Sequence, residues 1–192
     1  MNYEVIVNKE NPINDYDIPT NLTEIGMDSA KIIERKTFLE KKTAINFNKM
    51  VEECNKHFKN KIIPNSGFRT IKEQQEILDF YLDPNQRGLD AYNSVALPKT
   101  SEHHTGLAID VAMIKNGVYT DDLEDTEEEI KWLHNNCYKY GFILRYPKGK
   151  ENITGYSYEP WHFRYVGDIA EYLTKNNLTL EEYQEMKKHK HK

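Results

Sequence analysis

Two short stretches concentrate the side chains best suited to chemistry: residues 101–110, SEHHTGLAID, and residues 159–162, EPWH. The first offers His103 and Asp110 as metal ligands, separated by the glycine turn Thr105-Gly106 and the apolar run Leu107-Ala108-Ile109. The second adds an imidazole, His162, and a carboxylate, Glu159. Two imidazoles and one carboxylate leave an open position on Zn²⁺, the catalytic rather than the closed structural arrangement. Glu159 is then free to carry a proton. The chemistry this set supports is that of a zinc hydrolase. Spacing alone leaves His104 as an alternative to His103, and His-x₆-Asp is a weak signal in a chain with 7 histidines.

Glu159 lies three residues before His162, which on a straight strand would send the two side chains to opposite faces. Pro160 makes a straight, paired strand unfavourable there, and a bend would let both converge on one ion. Arg69 follows the turn residues Asn65-Ser66-Gly67 and precedes Thr70-Ile71-Lys72-Glu73, which has the pattern of a helix-opening capping box. A guanidinium at a helix start can receive an anion, here a developing oxyanion or a substrate carboxylate.

The surrounding elements must position these groups. Ala44, Phe47, Met50, Val51, Cys54 and Phe58 recur at spacings of three and four, predicting a core-facing helix over 38–58. Residues 61–64 read as a short strand, and the capping box opens a helix to about Tyr81. Residues 83–100 form a long connection that leads into the first metal stretch. Residues 107–112 read as the best strand, followed by an Asn116-Gly117 hairpin turn. A helix is expected from an N-cap at Thr126 to Gly141, then strands at 142–146 and 161–166. On the latter strand Phe163 and Tyr165 share one side and His162 and Arg164 the other. Short helices are expected at 168–173 and after a second capping box at Thr179. Residues 3–7 read as a strand and 8–21 as an extended surface arm. His57 reads as a surface or capping histidine, His134 as a structural helix histidine, and the terminal KKHKHK as a frayed charged tail.

The chain has 192 residues, 38% hydrophobic and 30% charged, enough for one globular domain. A net charge of −5 implies no general attraction to nucleic acid or anionic membranes. No stretch approaches the ~20 apolar residues of a transmembrane helix. The N-terminus has no basic stretch leading into an apolar one. A cytoplasmic location is expected if the chain is complete, and the cell envelope if an export signal has been removed. Cys54 and Cys137 stand in no metal-ligand spacing and read as buried free thiols.

At these residues the chain resembles the VanY-type D-alanyl-D-alanine carboxypeptidases, with VanX dipeptidases and bifunctional VanXY enzymes as relatives. The shared pattern is Ser66-Gly67-Phe68-Arg69, then S-x-H-x-x-G-x-A-x-D at 101–110, then Glu159-Pro160-Trp161-His162. The likeness extends over about residues 7–183. It implies a single α+β domain with a central antiparallel sheet flanked by helices, the D,D-peptidase/hedgehog-like zinc peptidase fold. Within that single domain an arm is expected over 1–27, a catalytic core over 28–178 and a terminal helix and tail over 179–192. The likeness implies Zn²⁺ on His103, Asp110 and His162, selecting His103 over His104. Glu159 becomes the catalytic base and Arg69 the oxyanion- or substrate-orienting group. Ser101 and Gln74 would help hold the terminal carboxylate.

The expected substrate is a peptidoglycan stem peptide or precursor ending in D-Ala, acted on by a monomer. L,D-carboxypeptidase, D-Ala-D-Ala dipeptidase and a non-catalytic cell-wall peptide-binding module are the alternatives. The chain departs from the pattern at His104, where relatives usually carry glutamine, and at Lys99, where a glycine often stands. Both departures are expected at the mouth of the cleft.

Overall fold

The computed structural model describes residues 1–25 and 36–190. The 27/28 boundary of the expected arm and the end of the charged tail, His191 and Lys192, lie outside them. The fold is α+β. Strands β1 (Leu22–Ile25) and β2 (Thr37–Glu40) form an antiparallel pair. Helix α1 (Lys41–His57) and strand β3 (Lys61–Ser66) follow. Helices α2 (Ile71–Leu82) and α3 (Ala91–Ser94) lead to the hairpin of β4 (Ala108–Lys115) and β5 (Val118–Thr120). Then come α4 (Glu128–Asn136), β6 (Phe142–Leu144), α5 (Glu151–Thr154), β7 (His162–Tyr165), α6 (Ala170–Lys175) and α7 (Leu180–Lys190). The main sheet is antiparallel in the order β3-β4-β7-β6, with β5 also on β4.

The period of two along the strands sorts the sheet into a core face and a site face. Ile109, Val111 and Met113 of β4 and Phe163 and Tyr165 of β7 join the main core with Phe47, Met50, Val51 and Cys54 of α1. Asp110 of β4 and His162 and Arg164 of β7 therefore face the other way, as read for 162–165 from sequence. The apolar stripe of α1 closes the core face, so burial of that stripe fixes which strand residues face the site.

The structure departs from the expected elements in several places. Residues 3–7 are not a strand, because side chains claim their carbonyls: Arg164 donates to Tyr3 O and Val5 O, and Gln184 to Glu4 O. The expected arm contributes β1, and its Val7 and Ile13 are buried. Helix α1 starts three residues later than expected, because the Glu40 carboxylate accepts the Lys42 and Thr43 N–H groups and so caps it there. Thr126 is not the N-cap of α4; its hydroxyl turns back to Glu124, and Glu127 occupies the cap position. Both expected capping boxes form, at Thr70/Glu73 and Thr179/Glu182. Among the described residues no helix is long and apolar enough to cross a membrane.

Candidate active site

Sheet register brings the distant stretches together. Asp110 on the central strand pairs with Ser66 on one side and His162 on the other. His103 comes from a single 3₁₀ turn, residues 102–105, which Ser101 caps and which ends at Gly106 with φ +65. A Cβ at Gly106 would meet Glu40 N at 3.0 Å, so the turn needs glycine both for its conformation and for the close approach of β2. The Glu159-Pro160 bend forms as well: His162 N–H donates to Glu159 O, closing a turn, and His134 Nε2 bonds Pro160 O at 2.9 Å. The bend turns the Glu159 carboxylate onto the same side as the His162 ring, with 3.4 Å between Oε2 and Nδ1.

His103, Asp110 and His162 each offer one ligand atom within 4.8 Å of the others, and all three are buried. His103 Nδ1 donates to Gly67 O at 2.8 Å, which leaves Nε2 as a lone pair facing Asp110 Oδ2 at 3.3 Å. Burial, reinforced by Arg69, pushes the His103 pKa down to about 4, so the ring is neutral at pH 7. Two acceptors in such contact call for a cation between them. His162 Nδ1 stands 2.9 Å from Asp110 Oδ1, yet that oxygen is buried without a hydrogen bond. Neutral imidazole, carboxylate and imidazole converging on one point is a donor set suited to Zn²⁺.

Glu159 differs from these ligands in its protonation. Burial raises its pKa to about 7; neighbouring Asp110 adds to the rise and His162 opposes it. Burial would lower His162, but the Asp110, Glu102 and Glu159 carboxylates around it carry it up to about 9. The same imidazoles hold Asp110 well below the usual carboxylate range despite burial. A carboxyl tuned to neutrality beside a metal-ligand set has the properties of a general base.

Arg69 Nη2 bonds Asp110 Oδ2 at 3.0 Å and Nε bonds Ser66 Oγ at 2.8 Å, at the edge of a cleft of about 770 Å³. Ser101 and Gln74 also line that cleft. The Gln74 amide is engaged at both ends, accepting from Arg69 at 3.3 Å and donating to Ala96 O at 2.8 Å. In this geometry it orients Arg69 and anchors the connection before the metal stretch. His104 does not point at the ligand set. Its Nδ1 bonds Arg69 O at 2.7 Å and its Nε2 accepts the Lys99 N–H at 3.1 Å, so both nitrogens are used. Among the described residues neither His104 nor Lys99 lines the cleft, contrary to the expectation that these departures sit at its mouth. His57 is half-exposed beside Glu53, and Cys54 and Cys137 are buried free thiols.

Sequence reasoning overlooked Glu102. Its fully buried carboxylate joins Arg145 and Arg164 and faces His162. The signal was present: Arg164 falls on the inward side of a strand and Arg145 directly follows one, and buried guanidinium groups require a buried anion.

Residues 36–168 match the family described as VanY: D-alanyl-D-alanine carboxypeptidase. The chain belongs to the VanY family. It is 37% identical over 191 residues to the bifunctional D-Ala-D-Ala dipeptidase and D-Ala-D-Ala carboxypeptidase VanXYC of Enterococcus gallinarum, covering 95% of this chain and 94% of that one. Among solved structures it is similar to the LdcB LD-carboxypeptidase, with 37% identity, 96% and 88% coverage and a TM-score of 0.78. It is also similar to a mutant of the vancomycin-resistance D,D-pentapeptidase VanY in complex with Zn(II), with 30% identity, 96% and 99% coverage and a TM-score of 0.77. Against two further curated relatives the chain spans less than half of their length, 43% and 45%.

Proposed function

We propose that this VanY-family chain is a zinc-dependent D-alanyl-D-alanine carboxypeptidase that removes the C-terminal D-Ala from peptidoglycan stem peptides or their precursors, acting as a monomer. The observation that carries the reading is the placement of Glu159: a buried carboxylate turned to 3.4 Å from the ring of a three-ligand metal set, lining the same cleft as Arg69. Zinc held by His103, Asp110 and His162 would supply a water of lowered pKa and a Lewis acid for the scissile carbonyl.

The protein's own groups do the rest. Glu159 accepts the proton that water gives up as its oxygen bonds the carbonyl carbon. It returns that proton to the amine nitrogen as the C–N bond breaks, so the products are a shortened peptide and D-Ala. The Arg69 guanidinium offers positive charge to the oxyanion or to the terminal carboxylate. Ser101 lines the same cleft, and Gln74 holds Arg69 in place. The likeness to LdcB supports a second reading, removal of the last residue of a tetrapeptide stem.

Mass spectrometry of stem peptides decides between these. Pentapeptide, tetrapeptide and free D-Ala-D-Ala are offered to the zinc-loaded protein and to Glu159→Ala. Loss of one D-Ala from the pentapeptide by the wild type alone is the expected result. Equal processing by Glu159→Ala refutes the proton-transfer role, and cleavage of the tetrapeptide only replaces the D,D reading with the L,D one.

A further inference from the structure

We propose that Glu102 is the positioning residue of the metal centre: its carboxylate holds the His162 ring by Nε2 so that Nδ1 is the nitrogen offered to the metal. The proposal rests on the zinc reading above and assigns a task to a residue outside the ligand set. His162 Nδ1 faces Asp110 and Glu159 at 2.9 and 3.4 Å, while its other nitrogen, Nε2, faces Glu102 Oε2 at 3.6 Å. Both Glu102 Oε2 and His162 Nε2 are buried and make no hydrogen bond. A separation of 3.6 Å is just beyond hydrogen-bond range, and a ring movement of a few tenths of an ångström toward Glu102 satisfies both atoms at once.

Glu102 is fixed for this task from behind. Its other oxygen, Oε1, accepts Arg145 Nε at 2.8 Å and Arg164 Nη1 at 2.6 Å, which leaves Oε2 to the imidazole. Each arginine is anchored in turn. Arg145 forks onto Glu181 of α7, and Arg164 Nη2 donates to the Tyr3 and Val5 carbonyls. The terminal segments of the described chain thus brace a metal ligand through two guanidinium groups. Buried ion pairs of this kind seldom stabilise a fold more than apolar packing would, so a positional role accounts for the network better than a stability role. A carboxylate behind a ligating histidine orients the ring and raises its basicity.

The test measures the zinc dissociation constant by chelator competition for the wild type, Glu102→Gln and Leu173→Ala, with circular dichroism verifying the fold of each. Leu173 packs in a satellite core with Ile143 and Leu180, and its truncation lowers stability while every hydrogen bond of the Glu102 network keeps both its partners. Glu102→Gln is expected to bind zinc about 10–100-fold more weakly. Leu173→Ala, although less stable, is expected to stay within about twofold of the wild type. A second measurement needs no variant: ¹⁵N NMR of the zinc-loaded wild type should show the His162 proton on Nε2. Unchanged affinity in a folded Glu102→Gln, or a His162 proton on Nδ1, overturns the proposal. A wild type that takes up no zinc overturns the zinc reading itself, and this inference with it.

Discussion

Glu159 is held where its ionisation is unfavourable, and that has a measurable consequence for stability. Replacing it by glutamine keeps the side-chain size and removes the charge. In the metal-free protein its pKa is raised to about 7, against ~4.3 in an unfolded chain. A carboxyl with a raised native pKa contributes stability that is fully present below the unfolded value and lost as pH rises through the folded one. The native state binds the extra proton between roughly pH 4.3 and 7, so over that window wild-type stability falls with pH. At 1.36 kcal/mol per unit, and allowing for partial titration at the ends, the loss between pH 5 and pH 8 is about 2.5 kcal/mol. The amide of Glu159→Gln does not titrate and escapes this loss. The assay is urea unfolding of both proteins with a chelator present, at pH 5 and pH 8. The quantity of interest is the double difference, which cancels the constant cost of burying an amide. The variant should gain about 2.5 kcal/mol on the wild type in going from pH 5 to pH 8. A double difference under about 0.5 kcal/mol, within ordinary additivity error, would refute the view that the site holds this carboxyl near neutrality at the expense of stability.

Two further outcomes follow from the same structure. A Cβ at Gly67 would stand 2.3 Å from Phe38 O, and Gly67 O also receives the His103 ring; Gly67→Ala should lower stability by about 1–3 kcal/mol in urea titrations, and a loss under about 0.5 kcal/mol would mean that β2 yields freely. Burial pushes the Cys54 and Cys137 thiols up to about 12, so neither should react with a thiol reagent at pH 8 in native protein while both react in urea; rapid native labelling would contradict their placement in the core.

The spacing of apolar residues revealed what the core face would bury. The α1 stripe and the Phe163/Tyr165 alternation appear in the structure as read, because apolar burial repeats with the geometry of the element that carries it. The site was legible through residue types whose presence needs a reason: a proline between a carboxylate and a histidine, and a glycine between a histidine and an aspartate. What sequence did not reveal is what depends on contacts between remote segments. No local pattern tells that Tyr3 and Val5 spend their carbonyls on Arg164 rather than on a strand, or that Glu40 caps α1 after ending β2. Glu102 was overlooked for a related reason: an inward-facing Arg164 calls for a buried anion, but only the fold shows that Glu102 is the one on which Arg145 and Arg164 close.

The two departures from the family pattern are in contact with each other. Lys99 stands at φ +71, a backbone region that favours glycine, and its N–H is taken by His104 Nε2. His104 in turn bonds the carbonyl of Arg69 through Nδ1, so one imidazole ties the end of the long connection to the loop that carries the guanidinium. Lys99 O receives Ile13 N–H, which brings the N-terminal segment into the same seam. The pair therefore acts as a brace behind the cleft, and its side chains lie away from the cleft wall. Substrate preference is then to be sought in the groups that do line the cleft. There Tyr146 stacks on Tyr156 at 4.7 Å, and Tyr156 O–H bonds Thr100 O just ahead of Ser101. Under the proposed function, a bound stem peptide would run along that cleft wall. Exchange of the Tyr156 ring, rather than of His104, is thus the change expected to alter which peptide is cut.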